Sequence, residues 1–212
     1  MSEELAVETH GLILDGPEGR VYGPLDLKLP ARGLNILRAP SGGGNTALAL
    51  TLAGRMRPSK GSLTVLAETN MYKIRKRVAV AGTKEIDPLD RDVRLHTTIG
   101  EYRNWNRHWW QPIARATQDY YEGLLRPVYG TRPLPELGAY ISSLSDLDRL
   151  LVRIAMMVAR PKKEMLIVDD IEQVRARDDR AELIKILENI STRMPVIAHA
   201  INPTGLPLEV SL

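Results

Sequence analysis

The sequence predicts an α/β fold with a mostly parallel sheet, because short apolar strands alternate with helical stretches through most of the chain. Two further observations support this prediction. Near the N-terminus, two apolar-alternating runs in "LILDGPEGRVYGPLDLKLP" flank a Gly-Pro turn, which indicates an antiparallel hairpin. A run of three glycines, residues 42–44, joins the short strand "LNILR" to a helical stretch.

Composition narrows the class of protein. The 212 residues suit one domain, 1–212, and 43% hydrophobic residues with 26% charged residues exclude a disordered chain. The net charge of +3 is too small to indicate nucleic acid binding, and the absence of cysteine excludes disulfides and thiolate metal sites. No apolar run reaches the roughly 18 residues of a membrane span, and the acidic N-terminus is unlike a secretory signal. We therefore expect a cytoplasmic protein that reaches a membrane only through a partner.

The predicted elements follow in order along the chain. Strands are predicted at 34–38, 62–67, 77–82, 164–170 and 194–200, and helices at 46–56, 144–161 and 178–191. Ser145 and Asp148 have the spacing of a helix-capping pair. The basic run "KIRKR" (73–77) is predicted to be a solvated turn or strand edge.

A helical insert is predicted at about 88–145, where helix formers predominate and all three tryptophans occur. Trp105, Trp109 and Trp110 are candidate partner contacts, since aromatic residues are enriched in interfaces. Burial in a small core of the insert is the alternative.

The glycine run has the features of a phosphate-binding loop. Glycines 42–44 can take positive φ and let backbone N–H groups converge on an anion, and the dipole of the following helix acts at the same point. Thr46 would offer a hydroxyl to Mg²⁺. Measured against the pattern G-x-x-x-x-G-K-[ST], Ala39 replaces the first glycine and Asn45 replaces the lysine. A glycine-rich turn between strand and helix is the alternative.

The longer stretch "PSGGGNTALALTLAGRMRPSKGSL" resembles the phosphate loop of ABC transporter ATPase subunits, with Gly54, Pro58 and Gly61 in register. The resemblance implies that ATP is held by Ser41, Gly42, Gly43, Gly44, Asn45, Thr46 and Ala47.

Two later strands resemble further motifs of that family. "EMLIVDD" resembles its second carboxylate motif, which implies that Asp169 holds Mg²⁺ through water and that Asp170 stands in place of the catalytic glutamate, one methylene shorter. "PVIAHAINP" resembles its switch-histidine strand, which implies a γ-phosphate contact by His199. A helix cap is the alternative for the paired acids, and a structural role is the alternative for the histidine.

"YISSLSDLDRLLVRIAMMVARP" resembles the family signature and its helix, with Ser145 retained and Asp146, Leu147 and Asp148 in place of Gly-Gly-Gln. The resemblance implies that Ser145 contacts the γ-phosphate held by an opposing subunit, where two acids would repel it by about 1–4 kcal/mol. Helix capping by Ser145 is the alternative.

Two other family features are missing. No glutamine follows "VAVAG", where residues 82–84 are Gly-Thr-Lys, and no aromatic residue stands clearly at the adenine-stacking position, because Tyr22 comes several residues late. The loop after Asp170 also lacks the usual proline and closing aspartate.

Together these motifs imply a P-loop NTPase of the ABC ATPase type, with a mostly parallel sheet, an N-terminal antiparallel β subdomain and a helical insert. The resemblance implies an ATP- and Mg²⁺-binding subunit of a transporter or membrane-associated complex, with weak or absent hydrolysis. Its insert would dock on a membrane-embedded permease at the inner face of the membrane, and it would form a homodimer or pair with another cassette. The alternative is a pseudo-ATPase that serves as a scaffold or regulator. A role on DNA or ribosomes is disfavoured because the chain has one cassette, no coiled-coil insertion and no basic tail.

Overall fold

The computed structural model describes residues 4–40, 42–83, 88–105, 110, 112–205 and 209–211. The strands are β1 (Leu5–Gly16), β2 (Gly19–Leu25), β3 (Lys28–Pro30), β4 (Leu34–Arg38), β5 (Lys60–Val65), β6 (Val78–Ala81), β7 (Met165–Val168), β8 (Val196–Ala200) and β9 (Glu209–Ser211). The α-helices are α1 (Asn45–Leu52), α2 (Met71–Arg77), α3 (Leu95–Trp105), α4 (Gln118–Tyr129), α5 (Asp146–Val158) and α6 (Arg177–Ser191). Two 3₁₀ turns span Ile141–Ser143 and Ile171–Gln173.

The N-terminal strands form an antiparallel sheet. β1 pairs with β2, β3 and β5, and the predicted hairpin closes between Gly16 and Gly19. The predicted antiparallel β subdomain is therefore confirmed.

The second sheet is parallel, with strand order β6-β7-β8-β4-β9. Leu37 in β4 lies opposite His199 in β8, and Val168 in β7 lies opposite Ala198. Because the strands are parallel, their carboxyl ends meet at one edge, where ligands of open α/β sheets bind. This edge holds the glycine loop after β4, the acids after β7 and the segment after β8.

Apolar residues cover both faces of the parallel sheet. On one face, Leu37 and Ile197 pack with helix α1 and the antiparallel sheet. On the other, Ile36 and Ala198 pack with helices α3 to α6. Side chains alternate between the two faces of a strand, so neighbouring residues enter different cores. The site at the carboxyl edge is thus held by packing on both sides.

Helix α2 corrects the prediction of a turn or strand edge at 73–77. The Asn70 side chain accepts hydrogen bonds from the N–H groups of Tyr72 and Lys73 and so starts the helix. Ile74 is its one fully buried side chain. A single apolar position produces no helical periodicity, which explains why the pattern was missed.

Lys163 ties the segment before β7 to α2 and β6. Its Nζ donates to the carbonyl oxygens of Arg75 and Val78, both at 2.9 Å. Burial, together with the charges of Arg55, Arg160 and Arg75, lowers the pKa of Lys163 to about 8.

This lowered pKa predicts a rise in stability with pH. Between pH 8 and the ordinary lysine pKa of 10.5 the unfolded chain binds more protons at Lys163 than the folded chain does, so the free energy of unfolding increases as pH rises through this window. Lys163→Arg keeps its charge and should lose that increase, whereas exposed Lys185→Arg on α6 should retain it. Urea unfolding across the window measures the difference, and equal slopes for wild type and Lys163→Arg would contradict the assignment.

The region of the predicted insert contains α3, α4 and the turn Ile141–Ser143. The side chains of Trp105, Trp110 and Ile113 are 84%, 64% and 90% exposed, so a small core does not bury these two tryptophans. Trp109 lies outside the described residues. The bounds 88–145 remain a prediction. No helix among the described residues combines the length and apolar character that crossing a membrane requires.

Candidate functional site

The glycine loop leads directly into α1. Gly44 has φ 77° and precedes the first helical residue, and no side chain of the described residues caps the helix. The first N–H groups of α1 therefore have neither an intrahelical acceptor nor a capping one. They lie at the positive end of the helix dipole, which suits an anion.

Gly42 and Gly44 allow a matched test of this loop. Both have left-handed φ, 79° and 77°, but a Cβ on Gly44 would lie 2.7 Å from the Val21 oxygen. A Cβ on Gly42 would have no atom of the described residues within 4 Å apart from its chain neighbours. Gly42→Ala should cost about 1–2 kcal/mol of unfolding free energy from the left-handed conformation alone. Gly44→Ala should cost clearly more. Urea unfolding without nucleotide compares them, and equal losses would refute the packing of the loop against Val21.

A chain of polar contacts links the loop to the carboxylate strand. Thr46 Oγ1 donates to Asp169 Oδ2 at 2.7 Å, and His199 Nδ1 lies 3.4 Å from Asp169 Oδ1. Asp169 is 4% exposed and His199 is 1% exposed. The two predicted metal-binding residues, Thr46 and Asp169, are thus brought together.

A cavity of about 400 Å³ lies in front of this chain. Its lining consists of Gly42, Gly44, Asn45, Thr46, Ala47, Asp169, Asp170, Ala200 and Ile201. Gly43, also predicted to hold ATP, lies in the same loop and donates its N–H to the Pro40 oxygen at 3.0 Å. Ser41 falls outside the described residues.

Asn45 lines the cavity at the position where a lysine would stand. Its Nδ2 donates to the Ala39 oxygen at 3.4 Å, and its Oδ1 is buried with no hydrogen-bond partner among the described residues. The amide brings no positive charge to the cavity, so the attraction for an anion comes from the backbone.

Asp170 lines the cavity with a strained backbone. Its φ of 62° with ψ of 95° is a conformation that costs a non-glycine residue about 1–3 kcal/mol. Its Oδ1 accepts the Glu172 N–H at 2.9 Å, which caps the turn Ile171–Gln173. Burial raises the pKa of the Asp170 carboxyl. Asp170 therefore caps this turn, as the alternative predicted, and also lines the cavity.

Glu172 fixes the segment that follows β8. Its Oε1 accepts the backbone N–H groups of Ile201 at 3.0 Å and Asn202 at 2.9 Å. Ile201 lines the cavity, so this carboxylate holds one of its walls. No local sequence pattern indicates this contact, because it joins residues about 30 positions apart.

His199 lies within the strand that was predicted at 194–200. It lies inside β8, which ends at Ala200, and among the described residues it does not line the cavity. Strand alternation turns its ring toward α1, behind Asp169. The γ-phosphate contact of His199 stays a prediction. At this strand end, the described residues that line the cavity are Ala200 and the following Ile201.

Gln173, from the turn after β7, lies beside Gly82, where the family resemblance would place a glutamine at the end of β6. Its Nε2 donates to the oxygens of Asp169 at 3.0 Å and Asp170 at 2.7 Å, and a Cβ on Gly82 would lie 2.7 Å from it. The Arg153 guanidinium donates to Gln173 Oε1 at 3.1 Å. Gln173 thus holds the backbone of both acids from the turn after β7. Lys84, one of the predicted glutamine positions, is outside the described residues.

Ser145 caps α5. Its Oγ accepts the Asp148 N–H at 2.9 Å and donates to Asp148 Oδ2 at 2.7 Å, as the capping alternative predicts. The contact of Ser145 with a γ-phosphate held by an opposing subunit stays a prediction.

The two acids beside Ser145 are paired with arginines. Asp146 contacts Arg149 and lies 2.9 Å from Arg175, and Asp148 Oδ1 lies 3.4 Å from Arg132. The Arg175 contact lowers the pKa of Asp146. These arginines offset part of the negative charge of the two acids, and the repulsion of a phosphate by them stays a prediction.

Tyr22 is buried and belongs to the core. Its hydroxyl donates to Thr51 Oγ1 at 2.7 Å, and the side chain is 7% exposed. It therefore does not supply the missing stacking surface for a base.

Solved structures share this architecture. The protein cbiO1 from Clostridium perfringens, part of the ABC transporter complex cbiONQ, is 13% identical with a TM-score of 0.72, over 94% of this chain and 80% of that one. A putative ABC transporter ATP-binding protein from Pyrococcus furiosus is 15% identical with a TM-score of 0.67, over 97% and 96%. A bacterial Atm1-family ABC exporter with ATP bound is 14% identical with a TM-score of 0.66, over 94% of this chain and 35% of that one.

This chain and the solved structures are similar in fold and have little sequence identity. No protein-family model matches the sequence, and no curated protein is significantly similar to it. At 13–15% identity the solved structures establish the fold. The chain therefore has the P-loop fold of ABC transporter ATP-binding subunits, with a parallel sheet, an antiparallel β subdomain and a set of helices on the outer face.

Proposed function

We propose that the protein is the ATP-binding subunit of an ABC-type transporter or membrane-associated complex, and that it binds ATP with Mg²⁺ in the cavity at the carboxyl edge of the sheet. The observation that carries this proposal is the 2.7 Å contact between Thr46 Oγ1 and Asp169 Oδ2. It places a hydroxyl from the glycine loop and a carboxylate from the neighbouring strand at one point beside uncapped helix N–H groups.

The donor set fits Mg²⁺, which prefers oxygen ligands and often takes several of them from water and substrate phosphates. Thr46 Oγ1 and Asp169 Oδ2 would hold the ion, directly or through water. Among the described residues, no group of three or more His, Cys, Asp or Glu could hold a metal alone. The ion would therefore arrive with the nucleotide, and bound Mg²⁺ would neutralise the phosphate charge.

His199 would act as a positioning residue in this site. Its ring packs behind Asp169 and fixes the carboxylate that faces Thr46. Because the ring is 1% exposed, it would influence the phosphates through Asp169 alone.

We infer that ATP hydrolysis is weak or absent. Asn45 provides no cation to stabilise charge on the β- and γ-phosphates, and Asp170 spends one carboxylate oxygen on the Glu172 N–H. A general base must reach the attacking water. The side chain of Asp170 is short and is held at the turn by its hydrogen bond from the Glu172 N–H, so it is poorly placed to do so.

The insert would dock on a membrane-embedded permease at the inner face of the membrane. A shallow groove beside α3 is lined by the apolar side chains of Leu89, Trp105, Met156 and Met157, with Arg160 and Glu101 among its polar residues. Trp105 is 84% exposed there and forms one apolar patch with its neighbours in the groove, and such patches mark sites of contact with other proteins. The complete transporter would contain two cassettes, either two copies of this chain or this chain and another.

Calorimetric titration with ATP, in Mg²⁺ and in EDTA, tests the proposal. We expect weak binding that Mg²⁺ strengthens, and ATP turnover near the detection limit. If ATP does not bind at millimolar concentration, the protein is a pseudo-ATPase scaffold, the alternative that the loss of the lysine favours.

A further inference from the structure

Positive charge is concentrated in two short stretches of the chain. Residues 55–77 and 160–164 hold ten of the 29 Lys and Arg residues but only two carboxylates. The net positive charge of these two stretches is larger than the net charge of +3 of the whole chain, so the remainder of the protein is net acidic. The asymmetry marks a local electrostatic feature.

Side-chain and backbone contacts bring the two stretches together. Lys163 Nζ donates to the Arg75 oxygen at 2.9 Å, and a Cβ on Gly54 would lie 2.8 Å from the Arg75 nitrogen. The loop after α1, helix α2 and the segment between α5 and β7 thus form one surface. It lies near the amino ends of β6 and β7, away from the proposed nucleotide cavity. We call this surface the basic face and define it by Arg55, Arg75, Lys76, Arg160, Lys162 and Lys163.

The two carboxylates do not neutralise the basic face. Glu68 lies 3.2 Å from Lys73, and Glu164 lies 2.7 Å from Arg77, so each already has a cation outside the defined set. The cations of the basic face lie close enough to interact: burial lowers the pKa of Lys163 most, and the charges of Arg55, Arg160 and Arg75 lower it further. An external anionic surface would relieve the repulsion between these cations.

The basic face borders the exposed apolar groove. Arg160 interacts electrostatically with Lys163 and also lines the groove beside Trp105. Exposed tryptophan next to Lys and Arg is the combination found where proteins meet the headgroup region of a membrane.

We propose that the basic face binds the anionic headgroups of a lipid bilayer. The choice of a bilayer over nucleic acid rests on the proposed function, in which the adjacent groove receives a membrane-embedded partner. The basic face would then lie against the lipid around that partner and help to set the orientation of the subunit.

Vesicle sedimentation tests the proposal with the full chain and without nucleotide. The probes are vesicles of phosphatidylcholine alone and vesicles with about one quarter phosphatidylglycerol. We expect binding to the anionic vesicles only, with release as salt rises from about 0.1 M to about 0.5 M. Tryptophan emission should shift to shorter wavelength on binding, because Trp105 lies beside Arg160.

A matched pair of variants separates the basic face from net charge. Lys76→Glu/Lys162→Glu reverses two exposed cations of the basic face, and Arg177→Glu/Lys185→Glu reverses two exposed cations on α6. The first variant should bind anionic vesicles at least about tenfold more weakly, since each cation near such a surface contributes appreciably. The second should bind much more like the wild type.

Three outcomes would overturn the proposal: equal binding to neutral and anionic vesicles, equal loss in both variants, or an unchanged tryptophan emission. Tighter binding of the wild type to a DNA or RNA duplex than to anionic vesicles would reassign the basic face to nucleic acid. None of these measurements involves ATP. A failure of nucleotide binding is therefore distinguishable from a failure of lipid binding.

Discussion

Asn45→Lys is expected to tighten ATP binding by about ten- to hundredfold. Asn45 is the first residue of α1 and lines the cavity, so a lysine there can reach bound phosphates from the same position. A charge-assisted hydrogen bond contributes about 1.5–3 kcal/mol, which corresponds to one to two orders of magnitude in the dissociation constant. Calorimetric titration with Mg-ATP measures the change.

The same substitution should slightly destabilise the protein without nucleotide. A cation in the first turn of a helix opposes the helix dipole and costs about 0.3–1 kcal/mol. Asn45→Met, which has a long side chain without charge, is the control and should not gain affinity. If Asn45→Lys binds ATP no more tightly than wild type, the phosphates do not lie beside Asn45 and the nucleotide assignment of the cavity is wrong.

The sequence predicted the framework of this site well because its determinants are local. Consecutive glycines, a following helix and an apolar strand ending in two acids can each be identified in a short window. Parallel pairing then places Thr46 beside Asp169, although 123 residues separate them. The parallel sheet brings these two locally predicted segments into contact, because both follow the carboxyl ends of its strands.

Other details of the site depend on contacts that no short window of sequence contains. Asp146, which is predicted to repel phosphate, pairs with Arg175, 29 residues away. His199 Nδ1 lies 3.4 Å from Asp169 Oδ1, and this contact joins two strands whose residues are 30 positions apart. The wall formed by Ile201 depends on Glu172, from a different turn. Long-range electrostatics and strand register therefore decided the details of the site.

Asp169→Asn is expected to remove the effect of Mg²⁺ on ATP binding. Asp169 is 4% exposed, and its side chain lies 2.7 Å from Thr46 Oγ1 and 3.4 Å from His199 Nδ1. Carboxylates that orient a bound metal or its water ligands typically change metal affinity by about 10–100-fold when replaced. The ATP affinity of Asp169→Asn in Mg²⁺ should therefore fall to its value in EDTA.

Asp169→Asn should not lose folding stability, although it loses ATP affinity in Mg²⁺. Burying a carboxylate is costly unless strong donors surround it, so the neutral amide of Asp169→Asn should preserve or raise the free energy of unfolding without nucleotide. Thr46→Val is the companion variant, because it removes the hydroxyl at similar size and leaves the carboxylate without its short hydrogen bond. It should lose both the Mg²⁺ effect and stability. The different effects of the two variants on stability separate a residue needed for ligand binding from one needed for folding. If Asp169→Asn unfolds more easily and retains the full Mg²⁺ effect, the buried carboxylate stabilises the core and the proposed metal site is absent.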